Sequence, residues 1–323
     1  MSAGTAPLVG LDDIRAAAAR VEGLVVRTPL LPSPELTEAC GAVEVRLKCE
    51  NLQRAGAFKA RGGINYVSQL ADGEVANGVI TYSSGNHAQA VALAAQLRGV
   101  RAVVVMPTTA PGVKVEGAKR LGAEVVFEGT TSLERMARAH AIAEAEGLTV
   151  IPPFDDARII AGQGTVGLEI VDDWPEVDTV LVPIGGGGLG SGVAAALRRL
   201  RPDARVIGVE PVEGASMSAA LAAGGPVTLE ATRSIADGLL PVRSGDLTWR
   251  HMSELADGVV TVDDDAIRDA ARFLLHRHRL VVEYSGAATV AALRSGAVEV
   301  AGCRVAAVLS GGNLDPALLA ELT

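Results

Sequence analysis

Short apolar runs alternate with longer amphipathic stretches along most of this chain of 323 residues. Short runs rich in β-branched residues predict strands, whereas apolar positions that recur about every 3.6 residues predict helices. Strands are expected at Val45–Lys48, Val79–Tyr82, Ala102–Met106, Glu124–Phe127, Thr179–Val182, Arg205–Val209, Gly258–Val262 and Arg304–Leu309. Helices are expected at Asn86–Arg98, Val113–Leu121, Leu133–Glu146, Leu189–Leu200, Asp263–His276 and Gly286–Arg294.

Residues that favour helix ends support these boundaries. Asp263 stands where an N-cap is expected, and Gly122 and Gly147 follow the last periodic residues of two helices. Strands that alternate with helices in this way build parallel sheets with helices on both faces. The pattern therefore predicts an α/β fold.

The composition narrows the class of protein. Hydrophobic residues make up 49% and charged residues 21%, which is the balance of a chain that buries a core. The formal net charge is −9 and aromatic residues are only 3%. This balance argues against nucleic acid and against an anionic membrane surface as partners, because both favour basic surfaces and nucleic acid also favours stacking rings.

Targeting and redox signals point to the cytoplasm. The chain has no apolar run long enough for a transmembrane helix, and its first residues do not resemble a signal peptide. The three cysteines, Cys40, Cys49 and Cys303, are too scattered for a disulfide framework or a metal cluster. We expect a cytoplasmic protein.

The most informative local feature is the run Gly185-Gly186-Gly187-Gly188, which follows a predicted strand and opens a predicted helix. Glycines let backbone N–H groups approach an anion, and the helix N-terminus adds partial positive charge. The run predicts a phosphate site. Read as Gly185-x-Gly187-x-x-Gly190, with Glu210 twenty residues further on, it also matches the fingerprint of a nicotinamide dinucleotide site. Both interpretations are open at this point.

Two other segments contain groups suited to catalysis. Lys59 follows Phe58 and stands between glycines, and a lysine becomes a Schiff-base nucleophile where burial lowers its pKa. Ser83-Ser84-Gly85-Asn86-His87 lies between a predicted strand and a predicted helix. Free N–H groups and short polar side chains at a helix N-terminus make a good carboxylate site.

Taken together, these segments resemble the fold-type II pyridoxal-phosphate enzymes, in particular the threonine/serine dehydratase and serine racemase group. The resemblance extends over almost the whole chain, and its motifs occur in family order. They are Glu50-Asn51-Leu52-Gln53, Phe58-Lys59-x-Arg61-Gly62, Ser84-Gly85-Asn86-His87, Ala161-Gly162-Gln163-Gly164-Thr165, the glycine run, Gly208-Val209-Glu210-Pro211, Ala236-Asp237-Gly238 and Leu309-Ser310-Gly311-Gly312-Asn313.

The resemblance implies two three-layer domains with parallel sheets, similar to tryptophan synthase β, and a cofactor in the cleft between them. Residues 1–58 and 155–323 would form the large domain that binds the cofactor phosphate. Residues 59–154 would form the small domain that binds the substrate carboxylate. It also implies a homodimer that dehydrates L-threonine and L-serine, small β-hydroxy amino acids, to 2-oxobutanoate or pyruvate and ammonia.

The roles of single residues follow from the same resemblance. Lys59 would hold pyridoxal 5′-phosphate as a Schiff base and later remove the substrate Cα proton, while Phe58 packs beside the ring. Asn86 would contact the ring's 3′-oxygen, Ser310 its nitrogen, and Glu283 would lie near the cofactor. The phosphate would be held by the backbone of Gly185, Gly186, Gly187, Gly188 and Leu189. The substrate carboxylate would be surrounded by Ser83, Ser84, Gly85, Asn86 and His87.

Some positions leave alternatives open. Ala57 replaces the usual serine of the family, and Ser84 resembles the second catalytic base of serine racemases, so a serine racemase is an alternative. A dehydratase of 3-hydroxyaspartate or phenylserine is another, and the nicotinamide oxidoreductase is a remote one. A divalent or monovalent cation is a further candidate ligand, held by Glu210 with Gly214 and Ser216. We expect Arg135 to be an exposed helix arginine.

Overall fold

The computed structural model describes residues 7–83, 85–110 and 112–323, which form two sheets with helices on both faces. The larger sheet has six strands in the order β1-β2-β10-β7-β8-β9, and the smaller has four in the order β5-β4-β3-β6. Every neighbouring pair is parallel except β1 and β2. The predicted α/β fold class is confirmed.

The strands are short, as expected for an α/β protein. They are β1 Leu30–Pro32, β2 Glu44–Lys48, β3 Val79–Tyr82, β4 Ala102–Met106, β5 Glu124–Phe127, β6 Thr149–Val150, β7 Thr179–Pro183, β8 Arg205–Pro211, β9 Gly258–Val262 and β10 Arg304–Val308.

Helices connect and cover the strands. They are α1 Leu11–Val21, α2 Pro34–Cys40, α3 Lys59–Val67, α4 Asp72–Val75, α5 Asn86–Arg98, α6 Gly112–Arg120, α7 Ser132–Glu146, α8 Ala157–Asp173, α9 Gly188–Leu200, α10 Ser216–Ala223, α11 Asp246–Leu255, α12 Asp264–Phe273, α13 Tyr284–Ser295 and α14 Pro316–Leu322. Across the described part of the chain, no helix combines the length and the apolar composition needed to cross a membrane.

One central strand in each sheet is buried along its whole length. β4 and β7 expose no residue, which explains why their sequences are continuous apolar runs rather than alternating ones. Polar groups that bind ligands then collect where such strands end, at the carboxyl edge of each sheet. β3 and β7 are each followed there by a glycine-containing turn and a helix, α5 and α9 respectively.

Glycines at helix crossings set the distance between the two sheets. A Cβ atom on Gly162 of α8 would lie 2.6 Å from the Cα of Gly62 in α3, and one on Gly192 of α9 would lie 2.4 Å from the nitrogen of Gly164 in α8. Side chains at these positions would push the backbones apart. The close packing of α3 on α8 and of α8 on α9 therefore fixes the start of α3 relative to the start of α9.

Sequence patterning missed several elements. It did not predict α1, α2, α3, α4, α8, α10, α11 and α14, nor the short strands β1 and β6. α8 is the largest omission, since it is 17 residues long and was not among the predicted helices. At Asp263 the prediction was right, since its side chain accepts the Ala266 N–H at 2.8 Å and caps α12.

Candidate functional site

Lys59 lies at the first residue of α3, where its amine is partly buried between the two sheets. Its Nζ donates a hydrogen bond to the Pro153 carbonyl at 2.7 Å and lies 5.1 Å from the centre of the Phe58 ring. Burial lowers the pKa of this amine from 10.5 to about 8. About a tenth of the amine is therefore neutral at pH 7 and about half at pH 8, whereas an amine of ordinary pKa would be almost fully protonated at both. A nucleophile or a proton acceptor must be neutral.

The turn after β3 approaches this lysine from the smaller sheet. Ser83 follows the strand, and its hydroxyl accepts the Gly85 N–H at 3.3 Å. Gly85 is the N-cap of α5, so the first N–H groups of that helix, beginning with Asn86, have no partner within the helix. Ser84 lies outside the described residues.

His87 is placed beneath this turn rather than beside it. The ring is 2% exposed, and its Nε2 lies 3.3 Å from the carbonyl oxygen of Ile151. Burial and the nearby Lys59 charge lower the pKa of His87 to about 3, so the ring is neutral. His87 can therefore support the turn but does not offer a positive charge to a carboxylate.

Asn86 links the two sheets through a chain of side-chain hydrogen bonds. Its Nδ2 donates to Glu283 Oε1 at 2.5 Å, and its Oδ1 accepts from Asn313 Nδ2 at 2.9 Å. Burial raises the pKa of Glu283 to about 7. Gly311 makes room for this carboxylate, because a Cβ atom there would lie 2.1 Å from Glu283 Oε1. Asn313 belongs to a motif quoted above, but its contact with Asn86 was not predicted.

The loop after β10 lies beside Phe58. The Phe58 N–H donates to the Ser310 carbonyl at 3.0 Å, and Ala57 forms a single bridge with Gly311. Ser310 is 4% exposed. The structure therefore brings Phe58, Lys59, Asn86, Glu283 and Ser310 together, although they come from four separate parts of the sequence.

The glycine run forms a loop at the carboxyl end of β7. Gly187 has φ = 96°, a conformation that favours glycine, and it is the N-cap of α9. Gly188 and Leu189 start the helix, where N–H groups have no intrahelical partner. Leu189 itself packs in the core beneath. The loop thus presents backbone donors and the positive end of a helix, which together favour an anion.

Phe154 and Asp155 hold this loop in place, a role that sequence reasoning missed. A Cβ atom on Gly186 would lie 2.2 Å from the Phe154 ring. Asp155 accepts the backbone N–H groups of Asp246, Leu247 and Thr248 at 3.0, 2.9 and 3.1 Å, and thereby caps α11. Asp155 and its partners in α11 are 91 to 93 residues apart in the chain, so no local pattern shows this contact.

A second feature that was missed is a buried ionic network behind α3. Arg61 donates to Glu50 at 2.8 Å and to Glu169 at 2.7 Å, and Lys48 donates to Glu169 at 2.6 Å. Lys48, Glu50 and Arg61 are 0% exposed. Glu50 and Arg61 occur in the motifs quoted above, which was a signal, but Glu169 stands in a helix that patterning did not predict.

Glu210 lies one residue before the end of β8, and its carboxylate accepts hydrogen bonds from the next helix. It accepts the N–H groups of Met217 and Ser218 at 2.8 and 2.9 Å and the Ser218 hydroxyl at 2.7 Å. Gly214 lies in the short turn Val212–Gly214, and Ser216 starts α10. No group of three or more His, Cys, Asp or Glu in the described ranges is arranged to hold a metal ion. The cation at Glu210 stays a prediction.

The expectation for Arg135 was wrong. Arg135 is only 9% exposed, and its Nη1 donates to the Thr130 carbonyl at 3.2 Å. Burial lowers the pKa of its guanidinium. The amphipathic period of α7 was too weak to show which face of the helix this arginine occupies.

A family model and two sequence relatives agree with the fold and the site described above. The family model described as "Pyridoxal-phosphate dependent enzyme" matches residues 21–311. The L-threonine ammonia-lyase of Thermotoga maritima is 43% identical over 95% of this chain and 76% of its own. The catabolic L-threonine dehydratase of Escherichia coli K12 is 41% identical over 98% of this chain and 96% of its own.

Solved structures agree with the sequence relatives. The structure of maize serine racemase is 40% identical, with a TM-score of 0.93, and the match covers 98% of this chain and 97% of that one. A family with this cofactor leaves no role for the nicotinamide fingerprint at Gly185–Gly190, so that interpretation of the glycine run is wrong. The chain belongs to the family of pyridoxal-phosphate dependent enzymes.

Proposed function

We propose that this chain is a pyridoxal-phosphate dependent ammonia-lyase that converts L-threonine and L-serine to the 2-oxo acid and ammonia. The observation that carries the proposal is the Lys59 amine, with a pKa of about 8, between the glycine loop and the turn at Gly85. Two relatives of more than 40% identity that match nearly the whole chain are named for threonine as substrate.

The residues present fit the cofactor. The loop from Gly185 to Leu189 offers N–H donors without side chains, and a Cβ atom at Gly187 would lie 2.7 Å from Met217 Cε, so a larger residue does not fit there. This loop would hold the phosphate group. Phe58 and Lys59 would lie beside the ring. When bound, pyridoxal phosphate withdraws electrons from the bonds at the substrate Cα.

Lys59 is the group that we expect to move the Cα proton. A general base works best when its pKa lies close to the working pH, and burial has moved this amine from 10.5 to about 8. The Pro153 carbonyl orients Nζ in the free chain. The first N–H groups of α5, together with Ser83 and Asn86, would hold the substrate carboxylate so that Cα faces the lysine.

Glu283 would act through Asn86. Its Oε1 accepts the Asn86 amide N–H, which leaves the asparagine amide in a fixed orientation toward the cleft. Asn313 holds the other end of the same amide. We propose that Asn86 contacts the 3′-oxygen of the ring and Ser310 its nitrogen, as the family resemblance implies.

The test is an absorbance spectrum of the purified protein before and after addition of L-threonine, with 2-oxobutanoate release followed in parallel. We expect a yellow protein whose spectrum changes with L-threonine as 2-oxobutanoate appears. A yellow protein that releases no product from L-threonine or L-serine would contradict the substrate assignment. Dehydration of 3-hydroxyaspartate or phenylserine would then be the next activity to assay.

Serine racemisation is the second candidate, because the maize serine racemase structure superposes on almost the whole chain. We propose Ser84 as the base on the face of the substrate opposite Lys59. Chiral chromatography of L-serine reactions would detect D-serine. Replacement of Ser84 by Ala should abolish D-serine formation while elimination from L-serine persists, and a racemase whose Ser84→Ala variant still makes D-serine would contradict this role.

We also propose the domain division at residues 58/59 and 154/155, cytoplasmic location and a homodimer. The four-stranded sheet, from Val79 to Val150, lies inside the smaller segment, which supports the division.

Leu52 and Val281 support the dimer, because they are 49% and 41% exposed and lie on segments joined by the bond from Asn51 Nδ2 to the Val281 carbonyl at 3.1 Å. Light scattering of the native protein and of a Leu52→Asp variant tests the dimer: we expect twice the chain mass for the first and the chain mass for the second.

A further inference from the structure

Lys114 forms an ion pair that joins the two halves of the cleft. It lies on α6, its side chain is only 9% exposed, and its Nζ contacts a carboxylate oxygen of Asp237. Asp237 belongs to the short turn Asp237–Leu239, whereas α6 packs against the smaller sheet. Neither residue was given a role by the sequence.

Lys114 and the residue after Asp237 each lie against one of the two turns that we propose to bind ligands. A Cβ atom on Gly85 would lie 3.3 Å from Lys114 Nζ, so the ammonium lies against the turn that faces the substrate carboxylate. A Cβ atom on Gly185 would lie 2.9 Å from the carbonyl oxygen of Gly238, the residue after Asp237. The ion pair therefore spans the space between the Gly85 turn, which we propose to bind the substrate carboxylate, and the glycine loop, which we propose to bind the phosphate.

We propose that Lys114 binds the α-carboxylate of the amino acid substrate and that Asp237 is its counterion while the site is empty. The inference rests on the proposed function. Among the described residues, the Gly85 turn offers N–H donors, short polar groups and the neutral His87, so Lys114 adds a full positive charge beside them. A substrate carboxylate and Asp237 then compete for one ammonium.

This competition predicts opposite effects for the two partners. Loss of the Lys114 charge removes a charge-assisted hydrogen bond to the substrate, which should raise KM by about tenfold or more with kcat changed less than about threefold. Loss of the Asp237 charge removes the competitor and should lower KM by about threefold. A purely structural ion pair would instead give both variants the same defect.

The experiment compares Lys114→Met, Lys114→Arg and Asp237→Asn in the holoenzyme, with kcat and KM for L-threonine. Lys119→Met is the matched control, because Lys119 is on the same helix but its side chain is 51% exposed and pairs with Glu116. We expect Lys114→Arg to recover most of the affinity and Lys119→Met to match the parent enzyme. A KM within twofold of the parent in Lys114→Met, or a KM raised equally in Asp237→Asn, would overturn the proposal.

A second readout does not depend on elimination. L-Alanine has no β-leaving group, and L-alaninamide lacks the carboxylate charge, so titration of the cofactor absorbance with each measures binding alone. We expect the parent enzyme to prefer L-alanine and Lys114→Met to lose that preference. If L-threonine gave no product but this preference depended on Lys114, the proposed function would fail and the role of Lys114 would stand. An unchanged preference in Lys114→Met would overturn it.

Discussion

Lys48 and Lys59 show how the hydrogen-bond partner of a lysine amine determines whether the residue stabilises the fold or can act in catalysis. Lys48 ends β2, is 0% exposed, and donates to Glu169 and to the Thr28 carbonyl at 2.6 and 2.7 Å. Lys59 begins α3, and within the described residues the hydrogen bond that its Nζ makes is to the Pro153 carbonyl. Lys48 thus pairs with a carboxylate, whereas the partner of Lys59 among the described residues is a carbonyl dipole.

This difference in partner distinguishes a lysine that stabilises the fold from one that can act in catalysis. A buried lysine that is paired with a carboxylate joins elements of the fold, as Lys48 joins β2 to α8. A buried amine without a carboxylate loses its proton more easily, and the pKa of Lys59 falls to about 8. We expect the first kind of lysine to matter for stability and the second for catalysis.

The largest expected effect is on activity, and it follows from replacement of Lys59. Replacement of Lys59 by Ala should lower the rate of 2-oxobutanoate formation by more than about a thousandfold, because Lys59 is the group that we propose to hold the cofactor covalently and to take the Cα proton of L-threonine. The free energy of unfolding of the cofactor-free chain should not fall, since the variant removes an amine that has no carboxylate partner among the described residues. Assays and urea denaturation check both. Retention of a tenth of the activity would contradict the role of Lys59.

The comparison also shows how far the sequence can go. The sequence identified Lys59 because Phe58 and the glycines stand close to it in the chain, and because the motifs occur in family order. The ionic network at Lys48 and the pair between Lys114 and Asp237 were not found, because their partners lie far apart in the chain and meet only when α8 and α6 pack. Fold class follows from periodicity, whereas the pKa of a site depends on contacts that periodicity does not record.

At Lys48 the expected effect is on stability. Replacement by Met leaves Glu169 with one cation instead of two and the Thr28 carbonyl without its donor, which should lower the free energy of unfolding by ~3 kcal/mol. Urea denaturation measures the loss, with Lys119→Met as the exposed control. If Lys48→Met unfolds like that control, the network does not stabilise the fold.

Glu283 extends the comparison to a buried acid whose partner is the Asn86 amide. Burial raises its pKa from 4.5 to about 7, so between these pH values the folded chain binds more protons than the unfolded chain. The stabilisation is complete below about pH 4.5 and is lost as the pH rises to about 7, by ~3 kcal/mol in total. Thermal unfolding of the cofactor-free chain at pH 5 and pH 8 should show a smaller difference in Glu283→Gln than in the parent. The exposed Glu213→Gln variant should behave as the parent, and an unchanged difference in Glu283→Gln would argue against the raised pKa.

The smallest effect is expected where the pairing is as complete as at Lys48 but the charges are exposed. Arg101 donates to Glu124 and Glu146 at 2.7 Å each, yet its side chain is 40% exposed. Water already solvates these groups, so replacement of Arg101 by Gln should change the free energy of unfolding by less than ~1 kcal/mol. Urea denaturation beside Lys48→Met makes the measurement, and the small loss should shrink further in 1 M salt, where exposed charges are screened. A loss equal to that of Lys48→Met would mean that the number of ion pairs, rather than their burial, determines what these lysines and arginines contribute to the fold.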